Sequence, residues 1–203
     1  GKSLSGNNQP VVNVSWTDAA LYCNWLSQRE GLRPFYNQSH GKITGFNPKS
    51  TGYRLPTEAE WAFAARFNKG AMRRYSWDSN TLPPPKKQAN YADTSAKGIA
   101  QQIIPNYRDG AAVTSAVGSY APNTLGLYDL DGNVAEWVHD VYRISFDGAG
   151  EKTDPLGPQQ GVRHSIRGAS WADALPSRLR LSYRHYGAKG RNDTGFRLAR
   201  YAD

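Results

Sequence analysis

The fold of this chain is decided by residues 123–140, which read Asn123-Thr-Leu-Gly-Leu-Tyr-Asp-Leu-Asp-Gly-Asn-Val-Ala-Glu-Trp-Val-His-Asp140. The apolar alternation at its start predicts a strand. Asp131-Gly132-Asn133 predicts a tight turn, because all three residue types tolerate positive φ. Asn133 and Glu136 lie three positions apart, so one turn would aim an amide oxygen and a carboxylate at one point, as Ca²⁺ requires. The alternative is a turn in which both side chains cap local backbone groups while Trp137 fills the core.

Composition places this stretch in a loop-rich chain held together by aromatic residues. The chain has 203 residues, enough for one domain, with 38% hydrophobic residues, 20 Gly, 12 Pro, 6 Trp and 12 Tyr. No apolar run reaches the roughly 20 residues of a membrane span. There is no signal-peptide pattern, so we expect a mature form or a fragment. The single Cys23 excludes an internal disulfide and a cysteine-based zinc cluster.

Positive charge is concentrated near the C-terminus. Residues 161–200 contain nine basic and two acidic residues and supply +7 of the formal net charge of +8. A basic face of this kind suits nucleic acid or acidic partners. No nucleic-acid motif accompanies it, however, and arginine beside aromatic residues often stacks and pairs within the protein. We therefore expect no nucleic-acid partner.

Local signals predict two helices in the N-terminal part. Ser15 offers an N-cap, apolar residues then recur at helical spacing over 16–30, and Gly31 ends that helix. Cys23 lies on its apolar face and is expected to be a buried thiol. Thr57 and Glu60 form a capping box that begins a second helix, which is expected to end near residue 69.

Short strands and long loops account for the rest of the predicted fold, which is α+β. Two loop segments, 89–93 and 108–110, are rich in oxygen ligands, and a bound cation is one way to fix loops of this length. The predicted strands are 9–14, 164–171 (which leads into a tight turn), 179–184 and 195–200. The predicted loops are 32–53, 71–118 and 141–162.

Four ordered strings give this chain a family resemblance. They are Pro10-Val-Val-Asn-Val-Ser-Trp16, Arg54-Leu-Pro-Thr-Glu-Ala-Glu-Trp61, Gly126-Leu-Tyr-Asp-Leu-Asp-Gly-Asn-Val-Ala-Glu-Trp137, and Arg167-Gly-Ala-Ser-Trp171 with the closing Gly195-Phe-Arg-Leu-Ala199. Together they resemble the formylglycine-generating enzyme, or sulfatase-modifying factor, family. The resemblance implies a C-type-lectin-like fold over residues 1–203, with two N-terminal helices and several short antiparallel strands. Strands that usually precede the first string are missing, so we expect a shortened relative or a fragment.

The resemblance also implies two calcium sites. The first would use the Asn90 side chain, the Tyr91 carbonyl, Asp109 and the Ala111 carbonyl. The second would use Asn133 and Glu136 with nearby backbone oxygens. Both positions fit hard-oxygen coordination, and metal-free turns are the alternative.

The copper site of the family's enzymes is not expected here. In those enzymes, two cysteines after the Gly-Ser-Trp-like turn hold copper, for which soft thiolates are suited. The corresponding stretch, Trp171-Ala-Asp-Ala-Leu-Pro-Ser-Arg-Leu-Arg180, contains no cysteine. No two of the four histidines have metal-ligand spacing. We therefore expect no copper and no formylglycine generation, and assign no catalytic residue.

The late loops form the usual binding face of a C-type lectin fold. In this chain they combine arginine, tyrosine and small polar residues, which favours recognition of a protein or peptide. The residues predicted to bind are Trp171, Asp173, Ser177, Arg178, His185, Tyr186, Arg191 and Asn192.

Two functional hypotheses follow from the resemblance. The first is a non-catalytic binding domain that uses residues 171–194, as in the bacterial variable proteins of diversity-generating retroelements. Diversified Asn codons cannot produce Glu, Gln, Lys, Met or Trp, and only Lys189 within 172–194 belongs to that set. The second is an oxidoreductase of the pyoverdine-maturation type that acts on a peptide. An ordinary solvated rim, with Arg180, Arg184 and Arg197 paired internally, is the non-functional alternative. An extracytoplasmic or cell-surface location is slightly favoured.

Overall fold

The structure, a computed structural model, describes residues 2–77, 79, 81–84, 87–144, 153–158 and 160–202. Of the predicted loops, residues 78, 80, 85, 86, 145–152 and 159 lie outside these ranges. None of the described helices has the length and apolarity that a bilayer span requires. The helices are α1 (Trp16–Arg29) and α2 (Glu58–Arg66), with a 3₁₀ turn at Thr94–Ala96, and the strands are β1 (Tyr36–Ser39), β2 (Lys42–Phe46), β3 (Phe67–Asn68), β4 (Ala71–Met72), β5 (Ala135–Val141), β6 (His164–Arg167), β7 (Arg184–Gly187) and β8 (Thr194–Phe196).

Helix α1 begins and ends where the sequence predicts. The Asp18 backbone N–H donates to Ser15 Oγ at 3.2 Å, and the Ser15 backbone N–H donates to Asp18 Oδ2 at 2.9 Å. Reciprocal bonds of this kind satisfy two free donors of the first turn. Gly31 follows the helix with a φ of +72°. The buried face includes Cys23, which is fully buried, so the expectation of a core thiol is confirmed.

Helix α2 also begins at its predicted capping box but ends earlier than residue 69. Thr57 and Glu60 exchange bonds of 2.8 and 3.1 Å. Phe67 is extended and opens the β3–β4 hairpin, in which Phe67 pairs with Met72. Lys69 and Gly70 form its turn, with φ of +48° and +86°. A two-residue turn with two positive φ angles favours a hairpin over further helix.

The main sheet has four strands in the order β7-β6-β5-β8. The β5–β6 and β6–β7 pairs are antiparallel, whereas β5 and β8 are parallel. Strand β5 is buried at every position except Val141, although it carries Glu136, His139 and Asp140. It contacts both α1 and α2. The central strand therefore brings polar groups into the core, where each must find a partner.

Several predicted elements differ in the structure. Residues 9–14 form no strand because Asn13 adopts a φ of +61°, and 32–53 contain the β1–β2 hairpin instead of an uninterrupted loop. Residues 123–130 turn rather than extend, since the Asn123 side chain accepts the backbone N–H groups of residues 125 and 127.

The late strands are shorter than predicted or shifted along the chain. Residues 179–184, predicted as a strand, are mostly turn. The strand that pairs with β6 is instead β7, which begins at Arg184. The first late strand ends at Arg167, and the closing strand ends at Phe196. Beyond it, Ala199 pairs with Arg54 in an isolated antiparallel bridge.

Candidate functional site

The base of the predicted binding surface is fixed by Trp171. Its backbone N–H donates to the Asn133 carbonyl at 2.9 Å, and its indole Nε1 donates to the Asn192 carbonyl at 3.2 Å. The Trp171 side chain is buried, so it supports the predicted surface and is not exposed on it. The indole also joins two parts of the predicted surface that lie 21 positions apart.

Asp173 and Arg178 form an ion pair at the mouth of this surface. One Asp173 carboxylate oxygen accepts the Ser170 backbone N–H at 3.0 Å and its hydroxyl at 2.8 Å. The other lies 3.0 Å from Arg178 Nη1. The Asp173 side chain is 11% exposed and that of Arg178 is 47% exposed. The buried carboxylate therefore orients a solvent-facing guanidinium.

A second arginine is held in the same way. Arg191 donates to both carboxylate oxygens of Asp193, at 2.8 and 2.7 Å, and these bonds help to hold the pKa of Asp193 below its usual value despite burial. Arg191 Nη1 also lies 3.0 Å from His185 Nε2. A guanidinium can only donate, so His185 accepts through Nε2 and is neutral. Burial, reinforced by Arg191, lowers the pKa of His185.

These side chains surround a cavity of about 90 Å³. It brings together Asp173, Arg178, His185 and Arg191 from the predicted set. Tyr183 and Asp193 also line it. Both lie within the predicted segment 171–194 but were not among the residues predicted to bind, although the Arg-x-Asp spacing of residues 191–193 is a recognisable signal for a charge pair.

The remaining predicted residues lie elsewhere. Ser177 and Asn192 are exposed and do not line this cavity. Tyr186 follows His185 on β7, and successive strand residues face opposite sides of a sheet. Its ring packs against Tyr142 at 4.4 Å and beneath the Arg163 guanidinium at 5.1 Å. The structure thus divides the predicted surface between two faces of the sheet edge.

The predicted calcium ligands other than Glu136 form one connected cluster. Asn90 Nδ2 donates to the Val113 carbonyl at 2.8 Å and lies 3.3 Å from Asn133 Oδ1. Asp109 accepts the backbone N–H groups of Tyr91 at 2.9 Å and Ala111 at 2.8 Å. The cluster therefore joins three loop segments that are distant in sequence.

The first predicted calcium site contains oxygen atoms that are free to coordinate a metal ion. Asn90 Oδ1 is buried and has no hydrogen-bond partner among the described residues. In the same part of the chain, the carbonyls of Tyr91 and Ala111 accept no backbone hydrogen bond. Burial raises the pKa of Asp109 to about 6, although the N–H groups of Ala111 and Tyr91 and the charge of Lys87 act in the opposite direction. These groups fit a hard cation, which would satisfy the free oxygens and stabilise the carboxylate.

The second predicted site is arranged differently, because its two side chains face different partners. Asn133 Oδ1 accepts the Ser115 backbone N–H at 3.0 Å. Glu136 accepts Trp61 Nε1 at 2.7 Å and binds Arg197 through bonds of 2.7 and 2.6 Å. Both carboxylate oxygens of Glu136 are thus engaged in a buried ion pair.

Cys23 lies outside the candidate surface. It packs in the core formed by α1 and β5, and burial raises the pKa of its thiol to about 12. A thiol in this environment is not the thiolate that soft metals bind. Within residues 171–180, Asp173 and Arg178 form their ion pair.

Fold and site together define a C-type-lectin-like domain with a paired Asp–Arg surface. The chain belongs to the family of sulfatase-modifying factor enzyme 1-like domains, whose profile matches residues 2–202. It is 33% identical to the formylglycine-generating enzyme of Streptomyces coelicolor over 97% of this chain, but it spans only 54% of that relative.

Solved structures of similar fold support the same assignment. Treponema denticola variable protein 1 matches with a TM-score of 0.76 and 28% identity, covering 98% of this chain and 73% of that one. PvdO from Pseudomonas aeruginosa matches with a TM-score of 0.72 and 28% identity, covering 98% and 65%.

Proposed function

We propose that this domain is a non-catalytic binding module that recognises a protein or peptide through residues 171–194. The observation that carries the proposal is the Asp173–Arg178 ion pair of 3.0 Å, which lies in the stretch where the family's enzymes hold their copper cysteines. A carboxylate–guanidinium pair supplies charge and hydrogen bonds, whereas it does not supply the soft ligands of a copper oxidase.

The surface is built for recognition by pre-organised charge. Arg178 and Arg191 are 47% and 43% exposed at their side chains, yet each is anchored to a carboxylate that is only 11% exposed. Anchoring reduces the side-chain entropy that binding would otherwise cost. The cavity of about 90 Å³ between them is well below the roughly 300–1,000 Å³ of small-molecule sites. It suits one small polar group of a larger partner.

A variable-display role is the more specific form of this proposal. The likeness to Treponema denticola variable protein 1 supports it, as does a late stretch with exposed residues on a buried frame. The test is genomic: a reverse-transcriptase gene beside this one, with a near-copy of its 3′ end that differs at adenines, is expected. Absence of both from the complete genome would contradict variable display and leave fixed recognition to be tested by binding.

Binding is tested by selecting peptides from a displayed random library on the native domain. The selected peptides are expected to bind Arg178→Ala at least about tenfold more weakly, as hot-spot contacts do. The matched control is Arg29→Ala, an exposed arginine outside residues 171–194 that does not line the cavity. Peptides that bind native, Arg178→Ala and Arg191→Ala proteins equally would contradict the proposed surface. Copper-dependent oxygen consumption on a cysteine-containing sulfatase peptide would contradict the non-catalytic assignment.

Oxidation of a peptide, as in the pyoverdine-maturation branch, is the second candidate. The likeness to PvdO supports it. Within the described residues, no three His, Cys, Asp or Glu side chains are grouped as a metal site, and the cavity between Asp173 and Arg191 is small. Those observations favour binding. Product formation from a tyrosine-containing peptide, detected by mass spectrometry and lost in Asp173→Asn, would reverse that preference.

Calcium is proposed as a structural ion at the first cluster. Asn90 Oδ1, the Tyr91 carbonyl, Asp109 and the Ala111 carbonyl would hold it, and the ion would link the loops that support Trp171 through Asn133. Coordination at Asn133 and Glu136 stays a prediction with less support, since Glu136 is paired with Arg197. Thermal unfolding with calcium chloride or with EDTA tests the first site, and equal melting temperatures would contradict it.

A further inference from the structure

A second cavity lies away from the candidate binding surface and shares no residue with 171–194. It is bounded by α1, the β1–β2 hairpin and the neighbouring ends of β5 and β6, and its volume is about 510 Å³. That volume falls within the roughly 300–1,000 Å³ typical of small-molecule sites. Its described lining contains no Asp, Glu, Lys or Arg. A charged ligand would therefore lose its hydration without gaining a counterion.

His164 contributes a hydrogen-bond acceptor to this cavity. Its ring stacks on Trp16, with centroids 3.6 Å apart. Its Nδ1 lies 3.2 Å from the His139 carbonyl. A carbonyl only accepts, so Nδ1 carries the proton. Burial lowers the pKa of His164 to about 4, which keeps the ring neutral at pH 7. The remaining nitrogen, Nε2, is then a lone-pair acceptor.

His139 contributes a donor. The Tyr36 hydroxyl accepts the Leu55 backbone N–H at 3.2 Å and lies 3.2 Å from His139 Nδ1. The hydroxyl is buried, and donation of its proton to Nδ1 is the arrangement that gives that proton an acceptor. Burial lowers the pKa of His139 to about 4, so this ring is also neutral. The single ring proton then resides on Nε2. The hydrogen bonds of 3.2 Å described above use Nδ1 of each ring, and the Asp140 backbone also approaches the His164 ring.

We propose that this cavity binds an uncharged planar molecule that presents adjacent C=O and N–H groups, such as a lactam or an aromatic carboxamide. The carbonyl accepts from His139 Nε2–H, and the N–H donates to His164 Nε2. The ring packs against Phe46 and Ile43, which are half-buried at the cavity wall. The site combines an apolar wall with one donor and one acceptor, as small-molecule sites commonly do.

The test uses 2-quinolinone, a planar lactam, and its N-methyl derivative, which lacks the N–H donor. Native protein at pH 7 is titrated with each compound by calorimetry and by NMR of the histidine side-chain nitrogens. The lactam is expected to bind at least about tenfold more tightly, because the methylated compound leaves His164 Nε2 unpaired. The Nε2 resonances of His139 and His164 are expected to shift. Equal binding of the two compounds, or no binding of the lactam at its solubility limit, would overturn the proposal.

Side-chain variants separate the two histidines. Asparagine can place an acceptor or a donor near the Nδ1 position but has no atom at Nε2. His139→Asn and His164→Asn are therefore each expected to weaken lactam binding at least about tenfold while keeping the inner bond. His40→Asn is the matched control, since His40 is exposed with a φ of +48° that asparagine tolerates. The ligand pair is compared on unaltered protein, so a variant that fails to fold does not block the test. Failure here leaves the peptide-binding proposal untouched, because Arg178 lies outside this cavity.

Discussion

Replacing Glu136 by glutamine is expected to destabilise the domain by about 3 kcal/mol even when calcium is removed. The side chains of Glu136 and Arg197 are 6% and 26% exposed. Glutamine keeps the volume and one oxygen, so Trp61 Nε1 can retain its acceptor. The amide NH₂ would, however, face the guanidinium, which only donates. Breaking a buried pair typically costs about 3–5 kcal/mol, and the partial exposure of Arg197 puts the expected value at the lower end.

Urea unfolding in EDTA and in calcium chloride measures this cost. The set comprises native protein, Glu136→Gln, Arg197→Met and the double variant. A coupling energy of about 2 kcal/mol is expected in both buffers, and the single Glu136 variant should melt roughly 6–12 °C lower. The control is Glu30→Gln, which removes the charge from an exposed acceptor of the Tyr53 hydroxyl and should cost under about 1 kcal/mol. A Glu136→Gln cost that appears only with calcium would refute the ion-pair reasoning and make Glu136 a calcium ligand.

Four further outcomes are expected. Calcium at a hundred times its Kd should stabilise the native domain by about 2.7 kcal/mol, and Asp109→Asn should abolish that gain in thermal unfolding. The pKa of His139 is about 4 in the folded protein, against an ordinary 6.5. The unfolded chain therefore takes up a proton at this residue first, and the free energy of unfolding decreases as the pH falls below 6.5. Between pH 7 and pH 5, the free energy of unfolding measured in urea should decrease by about 2 kcal/mol less for His139→Asn than for native protein. Gly132→Ala should cost about 2–4 kcal/mol, because its Cβ would lie 2.7 Å from the Asn90 carbonyl oxygen, whereas Gly126→Ala meets no atom within 4 Å and should cost about 1 kcal/mol. Cys23 should react with iodoacetamide only as the protein unfolds in urea.

Local signals predicted the helices well because a capping box is complete within four residues. Ser15 and Thr57 both make the reciprocal bonds that the sequence indicates. The end of α2 was less predictable, since the turn at Lys69-Gly70 competes with helix continuation and is decided by the hairpin it closes. Hydrophobic alternation was the weakest guide. Residues 123–130 alternate, yet Leu125, Leu127 and Tyr128 are exposed in a turn.

Pairings between distant segments were beyond a local interpretation of the sequence. The argument for Asn133 and Glu136 as joint ligands assumed a turn through both residues. In the structure, Asn133 ends the turn with a φ of +62°, and β5 begins at Ala135. Asn133 thus lies in the turn and Glu136 on the strand, so the two side chains do not share one turn that could aim both at the same point. Glu136 therefore meets Arg197, 61 positions away, while Asn133 remains with Asn90.

Carboxylates from inside and outside the C-terminal segment pair with many of its basic side chains. At least five of its nine basic side chains are bound to carboxylates: Arg167 and Arg184 to Glu58, Arg178 to Asp173, Arg191 to Asp193, and Arg197 to Glu136. Three of these arginines, Arg167, Arg184 and Arg197, pair with Glu58 or Glu136, which lie outside the segment, and these ion pairs stabilise the core. The other two, Arg178 and Arg191, are about half exposed and flank the small cavity. These two oriented guanidinium groups suit a directional contact with one polar group of a partner.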